Sequence, residues 1–255
     1  TNNTAVKIFN GGNLTLIDSN PSASHFFDTN NNLWQLSSSG FQVLGGIITN
    51  SGQASVGSGL YIENGGSFTM NGGNIVGCKS SNSAYGGVYN EGTFIFNAGT
   101  IQGYAGGLYN KGTVNGNGGL ITNYVNNEGS INVDTGANGT TFTDAVTNSG
   151  GIAGIFNGLV TNNNGNINGG TFSGQVNNNE GNINNGIFNN KVVNTAGKIN
   201  GGTFKNVVDN KLLIKDNEWG GTFKVKCFIY NGTFTETSKV RVEFCYIYNG
   251  TFEGK

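Results

Sequence analysis

One proline, one histidine, one methionine and three cysteines in 255 residues leave this chain short of most side-chain chemistry. Three thiols and one imidazole are too few for a metal framework, and an odd cysteine count is not a disulfide scaffold. Charge is equally sparse: 13 basic and 14 acidic residues give a net charge of −1. Residues 191–255 hold ten of the basic residues and six of the acids, a local balance of +4, and no basic residue lies between Lys111 and Lys191. Nucleic acid calls for a clustered basic face, so no nucleic-acid partner is expected. No run of eighteen apolar residues exists to insert into a membrane as a helix. No stretch sustains a 3.6-residue apolar period, so helices are not expected either. No initiator Met or signal peptide precedes the first motif, and the chain reads as a mature or excised piece of something longer.

What the chain does have is 45 glycines and 45 asparagines. Both types favour turns, because glycine is free at positive φ and asparagine tolerates it. An apolar content of 35% suits disorder when the apolar residues are scattered. Here they fall in columns. Residues 161–176 read TNNNGNINGGTFSGQV, 177–192 read NNNEGNINNGIFNNKV, and 193–208 read VNTAGKINGGTFKNVV. Ile167, Ile183 and Ile199 align, as do Phe172, Phe188 and Phe204, and Val176, Val192 and Val208. Two asparagine columns run alongside, Asn162/Asn178/Asn194 and Asn168/Asn184/Asn200. A fixed period in this range marks a solenoid, in which each unit buries its apolar face only against its neighbours. The apolar columns fill the rod, and the asparagine columns are expected to form amide ladders between turns.

Outside 161–208 the period drifts while the columns persist, which places insertions at the corners of the coil. Residues 1–59 read as irregular N-terminal turns with an insertion over 19–36, 60–144 as longer turns, 145–208 as regular 16-residue turns and 209–255 as C-terminal turns of one solenoid. Phe223, Phe234 and Phe252, each ending a GGTF or NGTF, continue the Phe column. The steps Ile167–Phe172, Phe172–Val176 and Val176–Ile183 are five, four and seven residues. These unequal faces suit a right-handed parallel β-helix better than the six-residue faces of a left-handed one. The expected fold is therefore all-β, a single-stranded right-handed parallel β-helix with turns of about 16–20 residues.

Cys227 and Cys245 are eighteen apart, as are two copies of YNGTF at 230–234 and 248–252. They are expected to stack on adjacent turns, as a reduced buried pair or as a strained disulfide.

Three stretches carry a resemblance: GLYIENGGSFTMNGGNIVG, YGGVYNEGTFIFNAGTIQG and AGGLYNKGTVNGNGGLITN, at residues 59–77, 85–103 and 105–123. Phe68 with Asn71 and Phe94 with Asn97 match an FxxN element, and GGNI, AGTI and GGLI match a GGxI element. The chain resembles the β-helix repeat modules of secreted and surface-anchored bacterial proteins, adhesin-like proteins of gut-dwelling species and polymorphic outer-membrane autotransporters among them. That resemblance implies the pectate-lyase-like superfold, an extracellular or cell-surface setting and no cofactor. It says little about the ligand; a host or polysaccharide glycan, or a host surface protein, is the expected partner.

Within that reading Tyr85, Tyr104 and Tyr124 each precede the apolar start of a turn, and their amphipathic rings suit sugar contact. Tyr89 and Tyr109 are expected to stack on each other. A carbohydrate-active enzyme is the rival, since β-helices include polysaccharide lyases and glycoside hydrolases. It needs two carboxylates across the scissile bond, and Asp216 and Glu218 are the nearest pair in sequence; both read as a solvated corner. Glu91, Glu128 and Glu180 read as exposed corners, His25 as a loop or packing residue, and no residue is singled out as catalytic or metal-binding. Ice binding is a second rival on the column Thr171, Thr203, Thr222, Thr233 and Thr251, which Ile187 interrupts. Self-association through the uncovered ends of the coil is a further expectation.

Overall fold

The computed structural model describes residues 4–28, 33–35, 41–50, 53–54, 59–80, 86–133, 139–216, 222–242 and 245–253. The chain divides into two compact units, Thr1–Thr143 and Asp144–Lys255. Each is a right-handed parallel β-helix with no helix among its described residues.

In the second unit the columns become stacked strands. Val146, Val160, Val176, Val192 and Val208 pair in register, each chain segment running parallel to the one before. Ile152, Ile167, Ile183 and Ile199 form a second column, and Phe156, Phe172, Phe188 and Phe204 a third. All these side chains are buried. The four phenylalanine rings stack with centroids 4.8–5.0 Å apart and planes within 9°. Strand spacing in a parallel sheet is about 4.8 Å, so identical residues one turn apart meet face to face.

The corner after each Val–Asn strand is made by a left-handed residue, Asn164, Glu180 or Ala196, at φ 56–59°. Gly165, Gly181 and Gly197 follow. A Cβ on Gly181 would lie 2.2 Å from Asn162 Nδ2, and one on Gly197 2.2 Å from Asn178 Nδ2. Only hydrogen fits there, because the amide ladder occupies the corner.

Two expectations for this unit are corrected. Phe204 stacks on Phe234, 5.1 Å away, and Phe223 is absent from the column. Thr222 and Phe223 lie instead in the strand Thr222–Val225, which pairs antiparallel with Leu213–Asp216. That hairpin is a corner insertion and lengthens one turn to 32 residues, from Val208 to its partner Val240. Thr222 therefore leaves the threonine column, whose register reads Thr171, Ile187, Thr203, Thr233, Thr251.

In the first unit the turns are longer and unequal. Ile8 pairs with Ile62, Ile62 with Asn90, Asn90 with Asn110 and Asn110 with Asn127, so successive turns take 54, 28, 20 and 17 residues. Two apolar columns, Leu14–Phe68–Phe94–Val114–Ile131 and Ile48–Ile75–Ile101–Ile121–Phe142, align by register and are buried from Phe68 and Ile75 onward, with Leu14 exposed. The insertion expected over 19–36 extends further. Ser24–Asp28, Leu33–Gln35 and Phe41–Leu44 make a three-stranded antiparallel sheet within the longest turn.

Candidate functional site

Among the described residues, polar groups converge in the amide ladders and, within the first unit, in a tyrosine stripe and a groove.

The asparagine ladders form on both expected columns. In the buried one, Nδ2 of Asn148 donates to Oδ1 of Asn162, Asn162 to Asn178, Asn178 to Asn194 and Asn194 to Asn210, at 2.6–3.0 Å. The amides of Asn148, Asn162, Asn178 and Asn194 also donate to a backbone carbonyl of their own corner, Asn178 to Gly181 O at 2.9 Å for example. A carbonyl only accepts, so the nitrogen must face it and the ladder's direction is fixed. The column Asn168/Asn184/Asn200 is linked as well, at 2.8–2.9 Å, but lies exposed. In the first unit Asn90, Asn110 and Asn127 repeat the buried pattern at 2.7 Å. The ladders serve structure, and in the first unit Asn90 Oδ1 is left buried without a hydrogen-bond partner at the start of its ladder.

The tyrosine stripe follows from register. Lys7 pairs with Tyr61, Tyr61 with Tyr89 and Tyr89 with Tyr109. The rings of Tyr89 and Tyr109 stack at 5.2 Å and 13°, while Tyr61 meets Tyr89 edge-on at 5.3 Å. Glu91 accepts hydrogen bonds from Tyr61 at 2.8 Å and Tyr89 at 3.0 Å, and Glu128 accepts one from Tyr109. Glu91 is thus half-buried and bonded, which corrects its reading as a free exposed corner. Lys7 bonds Glu63 at 2.6 Å and holds that carboxyl below its usual pKa. Burial and the hydrogen bond to Glu91 keep Tyr61 protonated well beyond the ordinary phenol range. Lys111 sits 5.6 Å above the Tyr109 ring, a cation–π distance. Both carboxylate oxygens of Glu91 are taken up by these phenol hydroxyls. The stripe is a lock between turns.

Among the described residues, a groove in the first unit is open to a ligand. It encloses about 470 Å³ between the inserted antiparallel sheet and one face of the coil. Gln42, Asn74, Thr100, Gln102 and Thr122 give it amide and hydroxyl groups, and Val43, Leu44 and Leu120 give apolar surface. Register puts Asn74, Thr100 and Leu120 in one row and places Gln102 beside Thr122 in the next. Sites for small molecules fall in this size range and mix apolar walls with a few placed polar groups. No lining residue carries a charge.

The proposed tyrosine edge is only partly within view. Tyr85 lies outside the described residues. Tyr104 follows Gln102 within the strand Thr93–Asn110, and its side chain also lies outside the description. Tyr124 is half-buried and pairs in register with Gly106, because a bulge intervenes after Gln102. Of the acids weighed for catalysis, Asp216 ends a hairpin strand and Glu218 lies outside the described residues. His25 lies in the inserted sheet, its Nδ1 buried without a hydrogen-bond partner. Among the described residues no three His, Cys, Asp or Glu side chains cluster as a metal site. Cys227 is buried and Cys245 partly exposed, and both are free thiols.

Sequence alone missed the groove, because its walls come from residues 42 and 122 and from rows that only register aligns. The Tyr–Glu bonds had a weak signal, the glutamate that sits two residues after tyrosine in YNE at 89–91. Comparison with family models, curated proteins and solved structures finds no match to this chain.

Proposed function

We propose that the chain is a non-catalytic, extracellular, adhesin-like β-helix, a stalk that also offers one binding face for a neutral glycan. The observation that carries this reading is the groove. Its lining supplies uncharged amides and hydroxyls beside apolar surface, which is what a sugar with hydroxyls on one face and C–H groups on the other requires. Acid–base hydrolysis needs an opposed carboxylate pair instead, and none of the lining residues is a carboxylate. The surrounding columns supply rigidity, since a polar site is only as accurate as the strands that hold it.

The test is binding of the purified chain to a broad glycan and mucin array, alongside Gln102→Ala and Thr122→Ala. Binding lost in both variants and kept in Tyr61→Phe supports the groove. Binding kept in both leaves an adhesin with its site elsewhere. Release of new sugar ends from any polysaccharide sinks the non-catalytic reading, and no binding at all reduces the chain to a spacer.

A further inference from the structure

In the regular turns an asparagine of the buried ladder is followed three residues later by a corner glycine: Asn162 by Gly165, Asn178 by Gly181, Asn194 by Gly197. The next two turns break this pairing together. Asn210 pairs in register with Val242, where the asparagines end. Phe228 N donates to Gly197 O at 3.1 Å, so Cys227 continues the glycine column, and Tyr246 N donates to Cys227 O at 3.2 Å, so Cys245 follows it. The hairpin Leu213–Val225 enters the chain between Asn210 and this corner. Asn210 Nδ2 donates to Arg241 O at 3.2 Å, in place of a corner carbonyl. The column that admits no side chain beside the ladder thus holds two thiols where the ladder stops.

Their register decides what two such thiols can do. Phe228 pairs with Tyr246 and Ile229 with Ile247 in parallel, so the cysteines one step before them project side by side. Parallel neighbours keep their Cβ atoms near the strand spacing of about 4.8 Å. A disulfide wants Cβ atoms about 3.5–4.5 Å apart and sulfurs at about 2.05 Å, so closing one means pinching two core strands together. A metal between the sulfurs relieves that demand. With metal–sulfur bonds of about 2.3 Å, a linear sulfur–metal–sulfur bridge spans about 4.6 Å, close to the strand spacing.

We propose that Cys227 and Cys245 form a two-thiolate site for a soft, linearly coordinating metal ion of the Cu(I) class. Soft thiolates select such ions, and two ligands satisfy them where Zn²⁺ demands four. As each sulfur–metal bond forms, its S–H bond breaks and the proton goes to solvent; one ion displaces two protons and nothing is oxidised. Cys227 is fully buried, and the partly exposed Cys245 provides entry.

The experiment is titration of the reduced chain with Cu(I) held by a chromophoric chelator, with proton release followed in parallel. One equivalent should leave the chelator and release up to two protons. Cys78→Ser, which removes the buried thiol of the first unit, should bind like the parent. Cys245→Ser should lose retention while its circular dichroism stays unchanged; this variant spares the core should Cys227→Ser fail to fold. Copper kept by Cys245→Ser overturns the proposal. So does failure of the parent chain to compete with the chelator, or rapid closure of a Cys227–Cys245 disulfide in air.

Discussion

Asn178 and Asn184 lie in the same turn, carry the same side chain and make the same kind of link one turn up and one turn down. They differ in exposure. Asn178→Ala deletes a bond donated to Asn194 at 2.7 Å and one accepted from Asn162 at 2.7 Å. Gly181 O keeps a partner, the Lys198 amide at 2.9 Å, but Asn194 Oδ1 loses its ladder donor in a site closed to water. Two links at roughly 1 kcal/mol each and one buried unpaired acceptor at about 1–3 kcal/mol put the loss at about 3–5 kcal/mol. Asn184→Ala deletes bonds of 2.9 Å to Asn168 and 2.8 Å from Asn200. Water replaces both, and a surface change of this kind falls within about 0.5 kcal/mol. Urea unfolding followed by far-ultraviolet circular dichroism measures the difference as a shift in midpoint at constant slope. Equal shifts for the two variants would refute the reasoning, since burial would then not decide what an amide ladder is worth.

Other perturbations probe other parts of the coil. Phe188→Ala empties a fully buried ring site between two stacked neighbours and should cost about 3–5 kcal/mol; calorimetry showing less than 1 kcal/mol would mean the stack is loose. Glu63 has its folded pKa lowered by Lys7, so its contribution is present above the unfolded carboxylate pKa and is lost as pH falls through the folded value. The stability difference between Glu63→Gln and the parent should vanish in acid, and a gap that persists there would rule out the ion pair. Tyr61 has its folded pKa raised, so its contribution is intact below the unfolded phenol pKa of about 10 and is lost as pH rises above it. Tyrosinate absorbance should show a late-ionising component that Tyr61→Phe removes; an unchanged titration curve would contradict the buried hydrogen bond to Glu91.

How much was legible depended on periodicity. Where Ile167, Phe172 and Val176 return every sixteen residues, the sequence states the register outright, and the stacked columns follow it. The repeat TF misled at Thr222 and Phe223, because a hairpin strand can carry the same dipeptide as a coil turn; only pairing tells the two apart. In the first unit the motif spacing hid a 54-residue turn, since an inserted antiparallel sheet has its own alternation and no tie to the coil period. The candidate site was the least legible part. Gln42, Thr100 and Thr122 share no motif, and neutral groove residues leave no mark in a composition. Cys227 and Cys245 were visible as a stacked pair, but their origin in the glycine column needed Phe228 bonded to Gly197.

The ladders of the second unit also have direction. Four buried links, from Asn148 through Asn210, point each donor toward the higher-numbered turn. Four on the outer rows, Asn179 to Asn163, Asn182 to Asn166, Asn184 to Asn168 and Asn200 to Asn184, point it toward the lower-numbered turn. Each amide is a dipole, and an α-helix that aligns its peptide dipoles carries about half a charge at either terminus. Here the two sets oppose each other bond for bond. A coil built this way gains turns without polarising itself from end to end, so repeats can be added or lost in evolution at little electrical cost.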